Sequence, residues 1–138
     1  MRLSISAESR WVAHCHCSLC RRAHGAAYVT WSGYPASAVE IDDPERRLHW
    51  FASSADSERG FCGHCGSTLL FRSARWADEL HLATALLDDG PDREPQAHVY
   101  WESHVGWVPA DDGLPPLIIG WLLGRATRGG RDGKGSEA

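Results

Sequence analysis

The residues of this chain best suited to chemistry are five cysteines that fall in two tight groups. The first group is Cys15, Cys17 and Cys20, and the second is Cys62 and Cys65. Thiolates are strong zinc ligands, and an odd number of closely spaced cysteines fits a disulfide framework poorly. A CxCxxC followed by a CxxCG therefore predicts a metal-binding protein, with zinc as the cofactor.

The first group can converge on one ion. If the chain is extended as far as Cys17, its side chain shares a face with Cys15, because residues two apart on a strand are co-facial. The intervening His16 then points away. A turn after Cys17 would bring Cys20 back, so that three sulfurs hold one zinc and leave its fourth position open. An open position is typical of a catalytic zinc.

The second group lies in Phe61-Cys62-Gly63-His64-Cys65-Gly66, where the glycines permit the tight turn of a zinc knuckle. Two arrangements are compatible with the spacing. In one, a single four-sulfur structural site is formed by Cys17, Cys20, Cys62 and Cys65, and Cys15 is a spectator. In the other, the first group holds an open zinc, and the CxxCG pair belongs to a second site that needs two further ligands.

Short alternating segments predict the elements that position these cysteines. Apolar residues recur at every second position, as half-buried strands require, in Leu3/Ile5, Val39/Ile41, Leu48/Trp50, Leu80/Leu82 and Val99/Trp101. Turn-forming clusters such as Asp88-Asp89-Gly90-Pro91 separate them. No run of about 10–12 residues has a helical period. The sequence therefore predicts an all-β fold of several small antiparallel sheets.

Composition narrows the class of protein. The net charge of −4 provides no broad positive field for nucleic acid. The first residues lack the apolar core of a secretory signal, so we expect a cytoplasmic protein. The apolar segment 114–123 is too short for a bilayer, so we expect no membrane partner. One domain is expected over residues 1–124, and the glycine-rich and charged segment 125–138 is expected to be a disordered tail.

Two segments resemble the signatures of the glutathione-dependent formaldehyde-activating enzyme family. One is Trp11-Val12-Ala13-His14-Cys15-His16-Cys17-Ser18-Leu19-Cys20-Arg21-Arg22, and the other runs from Arg59 to Phe71 around the CxxCG. The segment His98-Val99-Tyr100-Trp101-Glu102-Ser103, followed by Trp107 and by Asp112-Gly113-Leu114-Pro115, is similar to the ending of that family.

The resemblance implies antiparallel sheets anchored by zinc, an arrangement called a β-tent. It also implies that Cys15, Cys17 and Cys20 hold a catalytic zinc, while Cys62 and Cys65 share a structural zinc with an upstream CxC pair. This chain departs from the family pattern because no CxC lies before Cys15. We therefore expect Met1 to be an internal methionine of a longer product, and the domain to lack its N-terminal CxC.

The implied activity is carbon–sulfur lyase chemistry: addition of a small glutathione-like thiol to an aldehyde, or its reversal, giving an adduct such as S-hydroxymethylglutathione. The alternative is a non-catalytic zinc-stabilised module that binds another protein. Beside the cysteines, candidate partners for a substrate carboxylate are Arg21, Arg22 and Arg59. For His16 and His24, simple packing or solvent exposure is favoured over proton transfer. A core position is favoured over a pocket for Trp31, Trp50, Trp101 and Trp107.

Overall fold

The computed structural model describes residues 1–118, so the predicted tail over 125–138 lies outside the described residues. The described part is mainly β-structure. Its strands are β1 (Arg2–Ile5), β2 (Trp11–Cys15), β3 (Val29–Pro35), β4 (Val39–Asp42), β5 (Leu48–Ser54), β6 (Ser57–Cys62), β7 (Thr68–Ser73), β8 (Glu79–Ala83), β9 (His98–Val99) and β10 (Pro116–Leu117). One α-helix, α1 (Ser18–His24), and four short 3-10 helices complete this part of the chain.

The strands form one large sheet and one small one. The large sheet has eight strands in the order β10-β9-β2-β3-β8-β7-β6-β5, and β1 pairs only with β4. The prediction of an all-β fold is confirmed. The prediction of several small antiparallel sheets is wrong, because most strands join one eight-stranded sheet. The sheet is extended because β9 pairs with β2 in parallel, which brings His98 opposite His14. No local pattern specifies a pairing between residues so far apart in the chain.

The large sheet has an apolar core on each face. Trp11, Ala13 and Cys15 alternate along β2 toward one face, where Trp31 and Val99 join them. The opposite face carries a core that contains Tyr34, Cys62, Leu69, Leu70, Leu80 and Leu82. The β1–β4 sheet covers this second core with Leu3, Ile5, Val39 and Ile41. The alternation in those two strands reflects one face packed on the core and the other open to solvent.

Helix α1 begins immediately after β2. Cys17 precedes its first residue, and Cys20 is the buried position of the helix. The helix ends at Gly25, whose φ of 59° is left-handed and favours glycine. Seven residues are too few for a periodic pattern to stand out in the sequence. The segment where the sequence predicted only a turn therefore contains a short helix.

A β-bulge interrupts the pairing of β6 with β7. Gly60 lies opposite Leu70, whereas the next residue of β6, Phe61, lies opposite Thr68, so Leu69 has no partner across the pair. As a result Leu69 and Leu70, although adjacent, both belong to the second core. No helix within residues 1–118 is long and apolar enough to span a bilayer.

Candidate functional site

The structure brings the first three cysteines together. Cys15 ends β2, Cys17 caps the start of α1, and Cys20 lies in the first turn of that helix. The Sγ atoms of Cys15 and Cys20 are 3.6 Å apart, and Cys17 lies close enough to both to shift the pKa of its thiol. The sharp change from strand to helix therefore brings the three cysteines near one another, and their role as zinc ligands stays a prediction.

The three cysteines fit zinc in two respects: thiolates are good zinc ligands, and the 3.6 Å separation of the Cys15 and Cys20 sulfurs suits a shared ion. A tetrahedral zinc with Zn–S bonds of about 2.3 Å has its sulfurs about 3.8 Å apart, close to the separation of Cys15 and Cys20. Within residues 1–118, however, no group of three or more His, Cys, Asp or Glu side chains is already arranged around a metal position. The thiols are in contact without forming a complete ligand set, and zinc binding remains a prediction.

Mutual hydrogen bonding distributes charge unequally within the trio. Hydrogen bonds from Cys15 and Cys20 lower the pKa of the Cys17 thiol well below its usual range. The same hydrogen bonding to Cys17, together with burial, raises the pKa of Cys15. Of the three thiols, Cys17 is therefore the one whose surroundings most favour the thiolate, the form in which cysteine binds metal.

The second cysteine group lies elsewhere. Cys62 is buried in the core on the opposite face of the sheet, and Cys65 is exposed. The knuckle turn closes through a bond from the Gly66 N–H to the Cys62 carbonyl, and the φ of 78° at Gly66 requires glycine. A hydroxyl contact from Ser67, at 3.3 Å, lowers the pKa of Cys65. The single four-sulfur arrangement is therefore not formed.

A cavity of about 270 Å³ opens beside the first group. Its lining includes the three cysteines and the aromatic side chains of Trp11, Trp31, Phe71, Trp76 and Tyr100. Cys15 and Trp11 lie at opposite ends of β2, about 13 Å apart along the strand, so the sulfurs lie at one end of the cavity. An apolar pocket with a few convergent polar groups is the usual form of a small-molecule site. The arrangement can exclude water from a reaction at the sulfurs.

The other end of the cavity contains a buried carboxylate. One oxygen of Glu79 accepts hydrogen bonds from Trp11 Nε1 and His81 Nε2, both at 3.1 Å, and the other accepts from Arg10 at 3.0 Å. Burial raises the pKa of Glu79, but the three donors outweigh burial and lower it to about 2. This end is therefore a fixed negative charge that holds the Trp11 wall in place.

One buried cation adjoins the sulfurs. Arg59, on β6, is 6 % exposed, and its Nη2 donates to Cys20 Sγ at 3.4 Å. Its guanidinium stacks over Phe71 at 5.0 Å. An arginine beside thiolates offsets part of their negative charge. The sequence raised this residue only as one of three candidates for a substrate carboxylate.

Comparison with known proteins assigns the chain to a family. Residues 1–103, well over half of the chain, match the family model described as glutathione-dependent formaldehyde-activating enzyme. The chain belongs to this family. The resemblance inferred from the cysteine motifs is thereby confirmed.

One protein similar in sequence and one solved structure similar in fold can be compared with this family member. A curated Halomonas elongata protein whose name assigns it to the same family is 28% identical over 100 residues, covering 68% of this chain and 64% of the relative. The crystal structure of a Rhodobacter sphaeroides protein is similar in fold, with a TM-score of 0.52 and 18% identity, over 83% of this chain and 89% of that one.

Two buried histidines, His16 and His98, are joined by a hydrogen bond beside the cysteine group. The Asp112 carboxylate accepts from His98 Nε2 at 3.0 Å, and His98 Nδ1 lies 2.8 Å from His16 Nε2. Because a carboxylate only accepts, a neutral His98 carries its proton on Nε2, and its Nδ1 then accepts from His16 Nε2–H. Burial, then His98, lowers the pKa of His16 to about 4. This hydrogen-bonded network holds His16, which links the end of β2 to Cys17, in one orientation.

The remaining candidates from the sequence lie in varied settings. Arg21 Nε donates to the His16 carbonyl at 3.1 Å, and Arg22 is exposed. His24 packs edge-on against Trp31, which belongs to both the first core and the cavity wall. Trp50 packs against the second core, Trp101 stacks on His104, and Trp107 is 74% exposed.

Sequence reasoning did not single out Trp11, His81 or His98. Trp11 had a usable signal, because it lies four residues before Cys15 in an alternating strand and therefore shares its face. His81 and His98 had none, since each reaches the site through pairing with a distant strand.

Proposed function

We propose that this protein is a zinc-dependent carbon–sulfur lyase-type enzyme that forms or cleaves a thiol–aldehyde adduct such as S-hydroxymethylglutathione. The observation that carries the proposal is that Cys15, Cys17 and Cys20 line one cavity together, with the sulfurs of Cys15 and Cys20 3.6 Å apart. Membership of a family named for glutathione and formaldehyde supports the choice of thiol and aldehyde.

Zinc would be held by Cys15, Cys17 and Cys20, and would favour the thiolate form of a small thiol at its open position. In the forward direction the substrate sulfur adds to the carbonyl carbon. The π pair of the C=O bond moves to the oxygen, and the resulting alkoxide takes up the proton that the thiol released. The product is the hydroxyalkyl thioether, and cleavage is the reverse.

The residues of the chain supply the surroundings for this addition. The aromatic walls of Trp31, Phe71 and Tyr100 exclude bulk water and leave room for a thiol larger than its aldehyde partner. The positive charge of Arg59 offsets part of the negative charge of the three thiolates. The hydrogen-bonded His98 fixes His16, and with it the backbone between two of the sulfur ligands.

The test is to count zinc by native mass spectrometry and to measure formaldehyde–glutathione adduct formation by exchange NMR. We expect Cys15→Ser to lose the zinc of the first group together with catalysis. Cys65→Ser, the matched control in the other cysteine group, should keep both. A Cys15→Ser protein with the full wild-type rate would refute the proposal and favour the non-catalytic binding module.

The second readout does not depend on turnover. Cobalt introduced in place of zinc should change its visible absorption bands when glutathione is added, because its ligand set changes. Bands that stay constant at saturating glutathione would count against binding of the thiol at the metal.

A further inference from the structure

One terminal nitrogen of Arg59, Nη1, has no hydrogen-bond partner among the described residues. This nitrogen is fully buried, while Nη2 of the same guanidinium donates to Cys20 Sγ at 3.4 Å. The side chain is 6 % exposed and lines the cavity. A buried donor left unsatisfied is costly, so such a group calls for an acceptor.

The positive charge of Arg59 is also not neutralised by a carboxylate of the described residues. Among the described residues, no Asp or Glu oxygen lies within ion-pair distance of it. The other arginine of the cavity, Arg75, is 66% exposed and pairs with Asp56. A guanidinium remains protonated in proteins, so the acceptor that Arg59 lacks is best supplied by an anion at the sulfur end.

We propose that Arg59 Nη1 donates a hydrogen bond to the oxygen of the aldehyde as it becomes the alkoxide of the thiol adduct. The assignment rests on the proposed function and adds a substrate-contacting catalytic residue to it. As sulfur adds to the carbonyl carbon, the C=O π pair becomes a lone pair on oxygen, which Nη1–H stabilises until that oxygen takes up the proton released by the thiol.

The position of Arg59 favours the reacting oxygen over a carboxylate of the thiol. Arg59 contacts the sulfur of Cys20 itself, so it lies beside whatever binds at the cysteine trio. In the adduct the oxygen is two bonds from the substrate sulfur, whereas the carboxylates of a glutathione-like thiol are several bonds further away. A preorganised donor aimed at developing negative charge is an effective means of catalysis.

The experiment compares Arg59→Met and Arg59→Lys with the matched control Arg72→Met, which removes an exposed arginine of the neighbouring strand β7 that does not line the cavity. We expect Arg59→Met to lower kcat about 10²–10³-fold, the usual effect of losing one oxyanion donor. The affinity for glutathione alone, measured by calorimetry, should change less than about threefold, because the free thiol has no alkoxide. Arg59→Lys should recover part of kcat, and Arg72→Met should match the wild type.

Each contrary result identifies a different error. If kcat is retained in Arg59→Met, or if glutathione affinity falls in parallel with kcat, the oxyanion role is wrong. Loss of zinc from Arg59→Met, counted by mass spectrometry, would likewise replace it by a role in holding the metal. If Arg59→Met does not fold by circular dichroism, the shorter and uncharged Arg59→Gln decides, and a folded Gln variant with the wild-type kcat overturns the assignment.

Different results would refute the proposed function and the assignment of Arg59. A folded, zinc-loaded wild-type protein that neither binds glutathione nor forms the adduct would overturn the lyase proposal, and this assignment with it. An active wild type with an unaffected Arg59→Met would overturn the assignment alone.

Discussion

Replacing Gly33 by alanine should destabilise the protein through one specific collision. Gly33 lies opposite Trp11 in the β2–β3 pair, and the indole packs across it. A Cβ added at Gly33 would lie 2.6 Å from Trp11 Cζ2 and closer still to neighbouring ring atoms. The indole cannot move away without breaking its hydrogen bond to Glu79 and its edge-on contact with His81, 4.6 Å between centroids.

The magnitude follows from those contacts. Overpacking of this kind costs roughly 1–3 kcal/mol, and loss of the Trp11–Glu79 hydrogen bond adds about 1 kcal/mol. We therefore expect the free energy of unfolding to fall by about 2–4 kcal/mol. For a chain of this size the melting temperature should fall by roughly 6–14 °C.

Urea denaturation followed by far-UV circular dichroism measures the effect, and Gly106→Ala is the control. A Cβ at Gly106 would meet nothing within 4 Å, so that variant should stay within about 0.5 kcal/mol of the wild type. If Gly33→Ala proves as stable as Gly106→Ala, the close packing of Trp11 on this glycine, and the cavity wall derived from it, is wrong.

The remaining predictions concern two buried polar networks. The pKa of Glu79 is lowered from 4.5 to about 2 on folding, so its contribution of roughly 3 kcal/mol is present above about pH 4.5 and is lost as pH falls toward 2. Urea midpoints from pH 6 to 3 should therefore fall more steeply for wild type than for Glu79→Gln, and parallel acid limbs would contradict the network. His98→Phe should cost about 1–3 kcal/mol, because it leaves the buried His16 Nε2–H unpaired. Thermal melts of this variant should lie several degrees below those of exposed His49→Phe, and equal melts would show that the hydrogen-bonded network of His16 and His98 adds no stability.

Local patterns in the sequence were sufficient to predict the strands that have one face open to solvent. The alternation of Leu3 with Ile5, and of Val39 with Ile41, predicted β1 and β4 because one side of each packs on a core. The same rule located β5, whereas β8 is buried on both faces and its alternation arises because the polar His81 stands between Leu80 and Leu82. In the segment of Val99 and Trp101 it was only partly right, because β9 ends at Val99 and the tryptophan begins a 3-10 turn.

The sequence could not predict how these strands join. The eight-stranded sheet depends on pairings between distant segments, such as Phe71 with His81 and His14 with His98, and each is decided by burial in the folded state. The contacts of the site likewise include some that the sequence could predict and some that it could not. The contact of Cys15 with Cys20 follows from spacing within one short segment, whereas the approach of Arg59 to Cys20 requires that β6 and α1 be packed together.

The unpaired residue in β7 has a consequence for the cysteine helix. Side chains of a strand alternate between two sides, so one additional residue reverses the side to which every earlier residue of that strand is directed. With Leu69 inserted, Thr68 lies on the same side as Phe61, and its hydroxyl donates to the carbonyl of Ala23, 3.0 Å away in α1. A chain lacking that insertion would direct Thr68 to the opposite side and leave the far end of the helix that carries Cys20 without this tether.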